Sequence, residues 1–275
     1  MNLAPYRTST LNTLLAGLGV EDEQTWDLLA SSFHEGWGEE NFNFTMVAAA
    51  AEDEGLAAAR ARIFGRHAYA PDEFLNPETL ALKSWQYDGR RLQAECVESD
   101  LAAHLAQAEM ATHINGIPVG ASALAVGIHA VTHDNFLVLG QNEGLWGSTC
   151  GGLLGMGEVH GEDIDLVGGA VRSVREQLGL GVKRGSFVFT GLGMDRRTGE
   201  ARLWGLAYLQ QEWSELWLND ERFERMRAVP FRVEEALGAL QEGAWDYGGQ
   251  LGLLEVLIYK YGLDAVFEAV GVRQA

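Results

Sequence analysis

The sequence has few cysteines and few basic residues, and it contains no long apolar run. Its two cysteines, Cys96 and Cys150, are too few for a disulfide framework and favour a reducing compartment. The 20 Lys and Arg residues are outnumbered by 39 Asp and Glu residues, and the resulting net charge of −19 disfavours nucleic acid and anionic membrane surfaces as partners. No stretch reaches the roughly 18 consecutive apolar residues that a membrane span needs. These shortages predict a cytoplasmic protein.

The length and composition fit a globular protein of two packed units. The chain has 275 residues, of which 47% are hydrophobic, and a typical domain has about 150 residues. The patterns change character near residue 115. We therefore expect an N-terminal helical and β-hairpin domain over residues 1–114 and a second domain over 115–275.

The N-terminal part alternates between helical and strand patterns. Trp26, Leu29 and Phe33 are spaced as on one face of a helix, and the Ala-rich residues 46–64 predict a second helix. Asp88-Gly89 lies between two strand-like segments, residues 80–87 and 91–98, which is typical of a hairpin. A further helix is expected over residues 101–111.

The C-terminal part mixes strands and helices without regular alternation. Strands are predicted at 119–131, 136–139, 187–192 and 201–209, and helices at 165–178, 221–227, 233–240 and 251–261. The helix at 165–178 is expected to end at Gly179. Because the order lacks repeated strand–helix–strand units, the fold class is predicted to be α+β.

Charges of opposite sign are segregated along the chain. Residues 92–171 contain ten acidic residues and no Lys or Arg, whereas residues 172–202 contain seven basic residues and three acidic ones. Cation-binding acids beside basic groups suit a metal–phosphate substrate. The simpler alternative is that both segments only face solvent.

A recognisable pattern occupies residues 151–180, which read GGLLGMGEVHGEDIDLVGGAVRSVREQLGL. They resemble the box of the Nudix family, G-x5-E-x7-R-E-U-x-E-E-x-G-U with U a bulky aliphatic residue, and the matching positions are Gly152, Glu158, Arg172, Val174, Glu176, Gly179 and Leu180. The resemblance covers residues 117–262. Segments 117–120 and 132–138 are most similar to the UDP-sugar diphosphatase-like branch.

The box departs from the family pattern in three ways. The spacer between Glu158 and Arg172 has thirteen residues where the family has seven, and Ser173 and Gln177 stand where the family has glutamate. Each replaced carboxylate removes a negative charge from the site. Asp163 and Asp165, inside the spacer, are candidates to compensate, although acids there also suit a helix N-terminus.

The resemblance implies a fold, a cofactor and a reaction. The expected fold is a Nudix-like α/β/α sandwich with a mixed sheet behind an N-terminal extension. The expected cofactor is Mg²⁺ or Mn²⁺, because these ions prefer carboxylate oxygens and activate water. The expected reaction is hydrolysis of a nucleoside diphosphate linked to another moiety, with UDP-sugar-like substrates as the leading class.

The resemblance also implies residue roles. Glu176 would hold metal while Glu158 and Arg172 brace the loop, and these three are the candidate catalytic residues. The candidate metal donors are Gly152, Glu158, Glu176 and Glu200. Glu200 has an equal alternative as an acid at a hairpin tip. Phosphate would be met by Arg175, Arg196 and Arg197.

A second function stays open beside the hydrolase. Because Ser173 and Gln177 have replaced carboxylates, the chain is also predicted as a catalytically degenerate Nudix-like protein that binds a nucleotide or nucleotide-sugar, or serves as a scaffold. Either function takes a small phosphorylated partner, and the N-terminal extension offers a homodimer surface. A Nudix-type transcription regulator is disfavoured because the C-terminal third lacks a basic helix face.

Several other residues have two interpretations. Cys150 is expected to be a small buried residue rather than a nucleophile. His129 and His133 lack a third ligand at zinc spacing and are expected to be structural or exposed. The tryptophans can stack on a base or sugar, but core positions are the commoner case, and this applies to Trp146, Trp204 and Trp245.

Overall fold

The computed structural model describes residues 8–20, 25–49, 54–67, 77–111, 122–216 and 223–272. The helices in these ranges are α1 (Thr8–Gly17), α2 (Glu54–His67), α3 (Leu101–Ala111), α4 (Leu166–Leu178), α5 (Val233–Leu240), α6 (Tyr247–Tyr261) and α7 (Leu263–Val270). None of these helices is long and apolar enough to cross a membrane.

The strands join one mixed sheet. They are β1 (Trp26–Ser31), β2 (Phe42–Met46), β3 (Glu78–Tyr87), β4 (Leu92–Asp100), β5 (Ser122–Val131), β6 (Phe136–Asn142), β7 (Leu145–Gly147), β8 (Cys150–Leu153), β9 (Val159–His160), β10 (Asp163–Ile164), β11 (Phe187–Asp195), β12 (Glu200–Tyr208) and β13 (Arg225–Pro230). The main order is β1-β11-β12-β5-β3-β4-β2-β10-β9, and β6, β7, β8 and β13 branch from it. The pairs β5–β12 and β2–β4 are parallel.

Helices cover both faces of the sheet, as the alternation along β12 shows. Leu203 and Ala207 pack in the cluster that contains α4, whereas Trp204 and Leu206 pack in the cluster that contains α1, α5, α6 and α7. Successive strand residues point to opposite faces, so one strand serves both cores. The α+β class and the layered sandwich with a mixed sheet are confirmed.

Helices α2 and α3 pack on each other away from the two main cores. Their contact is a small cluster of Leu56, Ala59, Ile63, Ala102 and Ala106. Strand β1 pairs with β11, and β3 pairs with β5. The sheet therefore combines strands from both predicted domains. Residue 114 itself lies outside the described residues, and the division there stays a prediction.

Three predictions of local structure were wrong. Residues 26–31 form β1 rather than a helix, because Trp26, Leu28 and Ala30 are buried in alternation along β11. Met46 ends a strand, and the following helix begins only at Glu54. The predicted helical turn at 221–227 is a strand from Arg225 onward, held against β6, while residues 221 and 222 lie outside the described residues.

The hairpin and most C-terminal elements were predicted correctly. Strands β3 and β4 pair antiparallel across Asp88-Gly89, and α3, β6, β11, β12 and α5 form where expected. Helix α6 begins four residues earlier than predicted, at Tyr247, because Asp246 caps it by accepting from the Gly249 N–H. The first residues of the predicted strand 119–131, residues 119–121, lie outside the described residues.

Candidate functional site

Helix α4 carries the second half of the box and is fixed by local caps. Asp165 Oδ1 accepts from the Gly168 N–H at 2.7 Å, and Gly179, with φ 69°, ends the helix in the left-handed region. Arg184 donates to both oxygens of Asp165, and this lowers the pKa of the carboxyl group. Asp165 is thus a helix cap, while Asp163 is exposed in β10. The Asp165 N–H donates to the Glu158 carbonyl at 2.8 Å, and compensation by either acid stays a prediction.

Glu158 and Arg172 form the predicted brace. Glu158 is buried; its Oε2 accepts from the Gly155 N–H at 2.7 Å and its Oε1 from Arg172 Nε at 2.6 Å. Arg172 also donates to the Leu153 carbonyl and to Glu176, both at 3.2 Å. The hydrogen bond from Arg172 to Glu158 raises the pKa of the guanidinium further. The segment of residues 153–158 is therefore bonded to α4 through one arginine.

Gln177 ties the same helix to strand β8. Its Oε1 accepts from the Gly151 N–H at 3.2 Å, and its Nε2 donates to the Gly151 carbonyl. Ser173, one turn earlier, is buried. Of the two residues that replace box glutamates, one is therefore buried and the other has its amide bonded to the backbone of Gly151.

A cavity of about 390 Å³ opens where β5 and β8 meet the start of α6. We call it the glycine-lined cavity; its walls include Gly127, Gly140, Gly147, Gly151, Gly152, Asn142, Ser148, Gln177, Glu200, Arg202 and Asp246. At Gly151 a side chain is excluded, since a Cβ would lie 2.7 Å from the Val126 carbonyl oxygen. The volume falls in the range of about 300–1,000 Å³ typical of small-molecule sites.

A half-buried arginine lines this cavity. Arg202 donates to Glu200 at 2.7 Å and to Asp246 at 2.6 Å, and its guanidinium lies 5.1 Å from the Trp26 ring centre. Burial alone would lower the pKa of Arg202, but the two carboxylates together raise it above its ordinary value. The three charges sum to −1.

Arg202 and Asp246 were not among the predicted site residues. They are 44 positions apart and meet only because α6 packs against the face of β12. The one available signal was Asp246 before Tyr247-Gly248-Gly249, which is typical of a helix N-cap.

A histidine lies behind Ser148. His129 is fully buried, and burial lowers its pKa to about 4, so the ring is neutral at pH 7. Its Nε2 lies 3.5 Å from Ser148 Oγ, too long for a strong hydrogen bond. The expectation that His129 is structural agrees with this burial, and His133 is exposed in a turn.

The three arginines expected to meet phosphate lie elsewhere. Arg175 is exposed on α4, Arg196 lies 3.3 Å from Asp27, and Arg197 is exposed at the β11–β12 turn. Within the part of the chain that the structure describes, none of the three is among the residues that line the glycine-lined cavity.

The predicted metal donors are split between two places. Gly152 and Glu200 line the cavity, whereas Glu158 and Glu176 are bonded to Arg172. Over residues 8–272, leaving out the undescribed gaps, no three His, Cys, Asp or Glu side chains converge as a metal site. The Gln177 amide is also bonded to Gly151. The oxygen donors of these residues therefore do not fit the Mg²⁺ or Mn²⁺ that the resemblance implies.

The remaining candidates are structural. Cys150 is buried, and burial raises the pKa of its thiol, so it is no nucleophile at neutral pH. Trp204 and Trp245 are core residues, and half-buried Trp146 lies 4.5 Å from the Arg227 guanidinium.

Comparisons of the sequence find no relative: no protein-family model and no curated protein matches it. Solved structures overlap with part of the fold. Tm1382, named as a candidate Nudix hydrolase, gives a TM-score of 0.42 at 10% identity over 67% of this chain and 100% of its own. The bifunctional NMN adenylyltransferase/ADP-ribose pyrophosphatase of Francisella tularensis, complexed with AMP and a Mn ion, gives 0.38 at 13% identity over 58% of this chain and 48% of its own. DR0079 of Deinococcus radiodurans gives 0.35 at 14% identity over 50% and 83%.

These overlaps are too small to assign a family.

Proposed function

We propose that this chain is a Nudix-like protein that binds a nucleotide-type ligand in the glycine-lined cavity without metal-dependent cleavage. The observation that carries the proposal is that the polar groups expected to hold metal are already bonded within the protein. Glu200, an expected metal donor, is paired with Arg202, and Gln177, which stands in place of a box glutamate, bonds Gly151. A cavity whose carboxylate is already paired has no free ligand for a metal ion, so we expect it to bind a small molecule without activating water for hydrolysis. Cytoplasmic location and a homodimer stay predictions.

The chemistry of the cavity favours the uncharged part of such a ligand. Glycine backbone, Asn142 and Ser148 offer neutral donors and acceptors. Arg202 is balanced by two carboxylates, so it has no unpaired charge for a phosphate. With a net charge of −1 at the floor, a phosphate group is repelled. We therefore expect the sugar or base inside and the phosphates outside.

A ligand screen tests this proposal. We expect UDP-glucose, ADP-ribose or NADH to raise the melting temperature in excess EDTA, because the contacts involve no metal. Asn142→Trp, at the cavity rim, should abolish the shift. Gln86→Trp, at an exposed strand position on β3, is the matched control and should keep it. If no compound of this class raises the melting temperature of the wild-type protein, the proposal is wrong.

The metal-dependent hydrolase is the second candidate. The observation in its favour is the network of Glu158, Arg172 and Glu176, which has the contacts that the resemblance implies. Turnover of the same compounds is measured with Mg²⁺ or Mn²⁺, and Glu176→Gln is the control. Metal-dependent turnover that Glu176→Gln abolishes would favour this candidate over binding alone.

A further inference from the structure

Two hydrogen bonds join the end of α4 to β8 through a single side chain. The Gln177 amide accepts from the Gly151 N–H with its oxygen and donates to the Gly151 carbonyl with its nitrogen. The amide orientation follows from these partners, because only a nitrogen can face a carbonyl oxygen favourably. Gln177 and Gly151 both line the glycine-lined cavity.

A glutamate at this position would behave differently. A carboxylate has no donor, so one of its oxygens would face the Gly151 carbonyl oxygen at hydrogen-bond distance. Two acceptors in contact repel unless a cation lies between them. Mg²⁺ and Mn²⁺ take carboxylate and carbonyl oxygens as ligands. The family pattern, which has glutamate here, therefore calls for a cation where this chain has the Gln177 amide nitrogen.

The Glu200 carboxylate of the cavity also has its partner within the chain. Glu200 shares the cavity with Gln177, and its carboxylate is paired with the half-buried Arg202. The guanidinium also holds Asp246, so it fixes the start of α6. Both acceptors that a bound ion would satisfy, the Gly151 carbonyl and the Glu200 carboxylate, already have donors from the chain.

We propose that the Gln177 amide takes the place of a divalent cation between α4 and β8, with Arg202 as the internal counter-charge. The helix and the glycine strand are then held together without metal. The inference concerns the protein without ligand, so it stands or falls separately from nucleotide binding in the cavity.

Mn²⁺ binding to wild-type protein and to Gln177→Glu tests the inference. For wild-type protein, electron paramagnetic resonance should show no saturable Mn²⁺ site, and the melting temperature should be equal in excess EDTA and excess Mn²⁺. Gln177→Glu should melt lower in EDTA, because its carboxylate faces the Gly151 carbonyl. It should gain one saturable Mn²⁺ site that wild type lacks, since it supplies a new carboxylate ligand, and the ion should raise its melting temperature.

Gln241→Glu is the matched control. Gln241 also donates its amide to a carbonyl oxygen, that of Leu18 at 2.9 Å, but it is not among the residues that line the cavity. It carries the same charge change and should gain no Mn²⁺ site. Gln177→Met removes both bonds without adding a ligand, so its loss of stability should not be recovered by Mn²⁺.

Two results would overturn the inference. One is a saturable Mn²⁺ site in the wild-type protein, with a melting temperature that is higher in Mn²⁺ than in EDTA. The other is a Gln177→Glu protein that melts as wild type in EDTA and gains no ion. The wild-type measurement needs no variant, so the inference can fail even if a substituted chain does not fold.

Discussion

Burial sets the chemistry of the single residues around the site. Burial raises the pKa of Cys96 to about 12, and the fully buried Cys150 is shifted in the same direction. A thiol is nucleophilic only as the thiolate, so neither cysteine reacts at neutral pH. His129 shows the same effect with the opposite sign, since burial keeps its ring uncharged.

His129 makes folding depend on pH in a defined window. Its pKa is lowered from 6.5 to about 4 in the folded protein, so between these values the unfolded chain takes up a proton that the folded chain does not. Stability therefore falls as the pH drops from 6.5 to 4, by up to about 3 kcal/mol. We expect His129→Gln to flatten the unfolding free energy over this window in urea titrations.

The control for this experiment is His133→Gln, at an exposed turn position. It should leave the slope of stability against pH close to that of wild type. Charged neighbours of His129 are Arg202 and Asp246, which act in opposite directions on its pKa. An unchanged slope in His129→Gln would mean that the ring is protonated inside the fold.

At the scale of elements, predictions succeeded where the signals are local. Helix α4 was found because Asp165 and Gly179 mark its two ends, and the β3–β4 hairpin because Asp88-Gly89 defines its turn. Strand β1 was missed because its partner β11 lies more than 150 residues later in the chain. The apolar spacing in residues 26–33 fits a helix until that partner is known.

The distance along the chain between partners also decides which contacts of the site could be predicted from the sequence. The pairing of Glu158 with Arg172 follows from the box resemblance and is confirmed. The meeting of Arg202 with Asp246 depends on how α6 packs on the sheet, which no short-range pattern encodes. The bonds from Gln177 to Gly151 belong to this second half, although the substitution itself was visible.

The cap of α4 gives a prediction at this scale. Asp165→Ala should lower the unfolding free energy by about 1–2 kcal/mol, because the Gly168 N–H and Arg184 lose their partner. Asp163→Ala, two residues earlier and exposed, should change it by less than about 0.5 kcal/mol. Urea denaturation of both variants measures the difference. Equal effects would mean that Asp165 is not the cap.

At the scale of the whole molecule, charge is distributed unevenly between surface and site. The chain carries a net charge of −19, yet the buried carboxylate of Glu158 and the cavity carboxylate of Glu200 each pair with an arginine. Internal pairing replaces the counter-ions that an acidic cavity would otherwise attract. A sandwich with helices on both sheet faces holds these pairs in place.

Calorimetric titration of the wild-type protein with UDP-glucose tests the central claim most directly, that the cavity works without a divalent ion. One titration is made in excess EDTA and one in excess Mg²⁺. We predict saturable binding of one ligand per chain with the same dissociation constant in both. Binding that occurs only with Mg²⁺ would contradict the account, because a metal would then be part of the site.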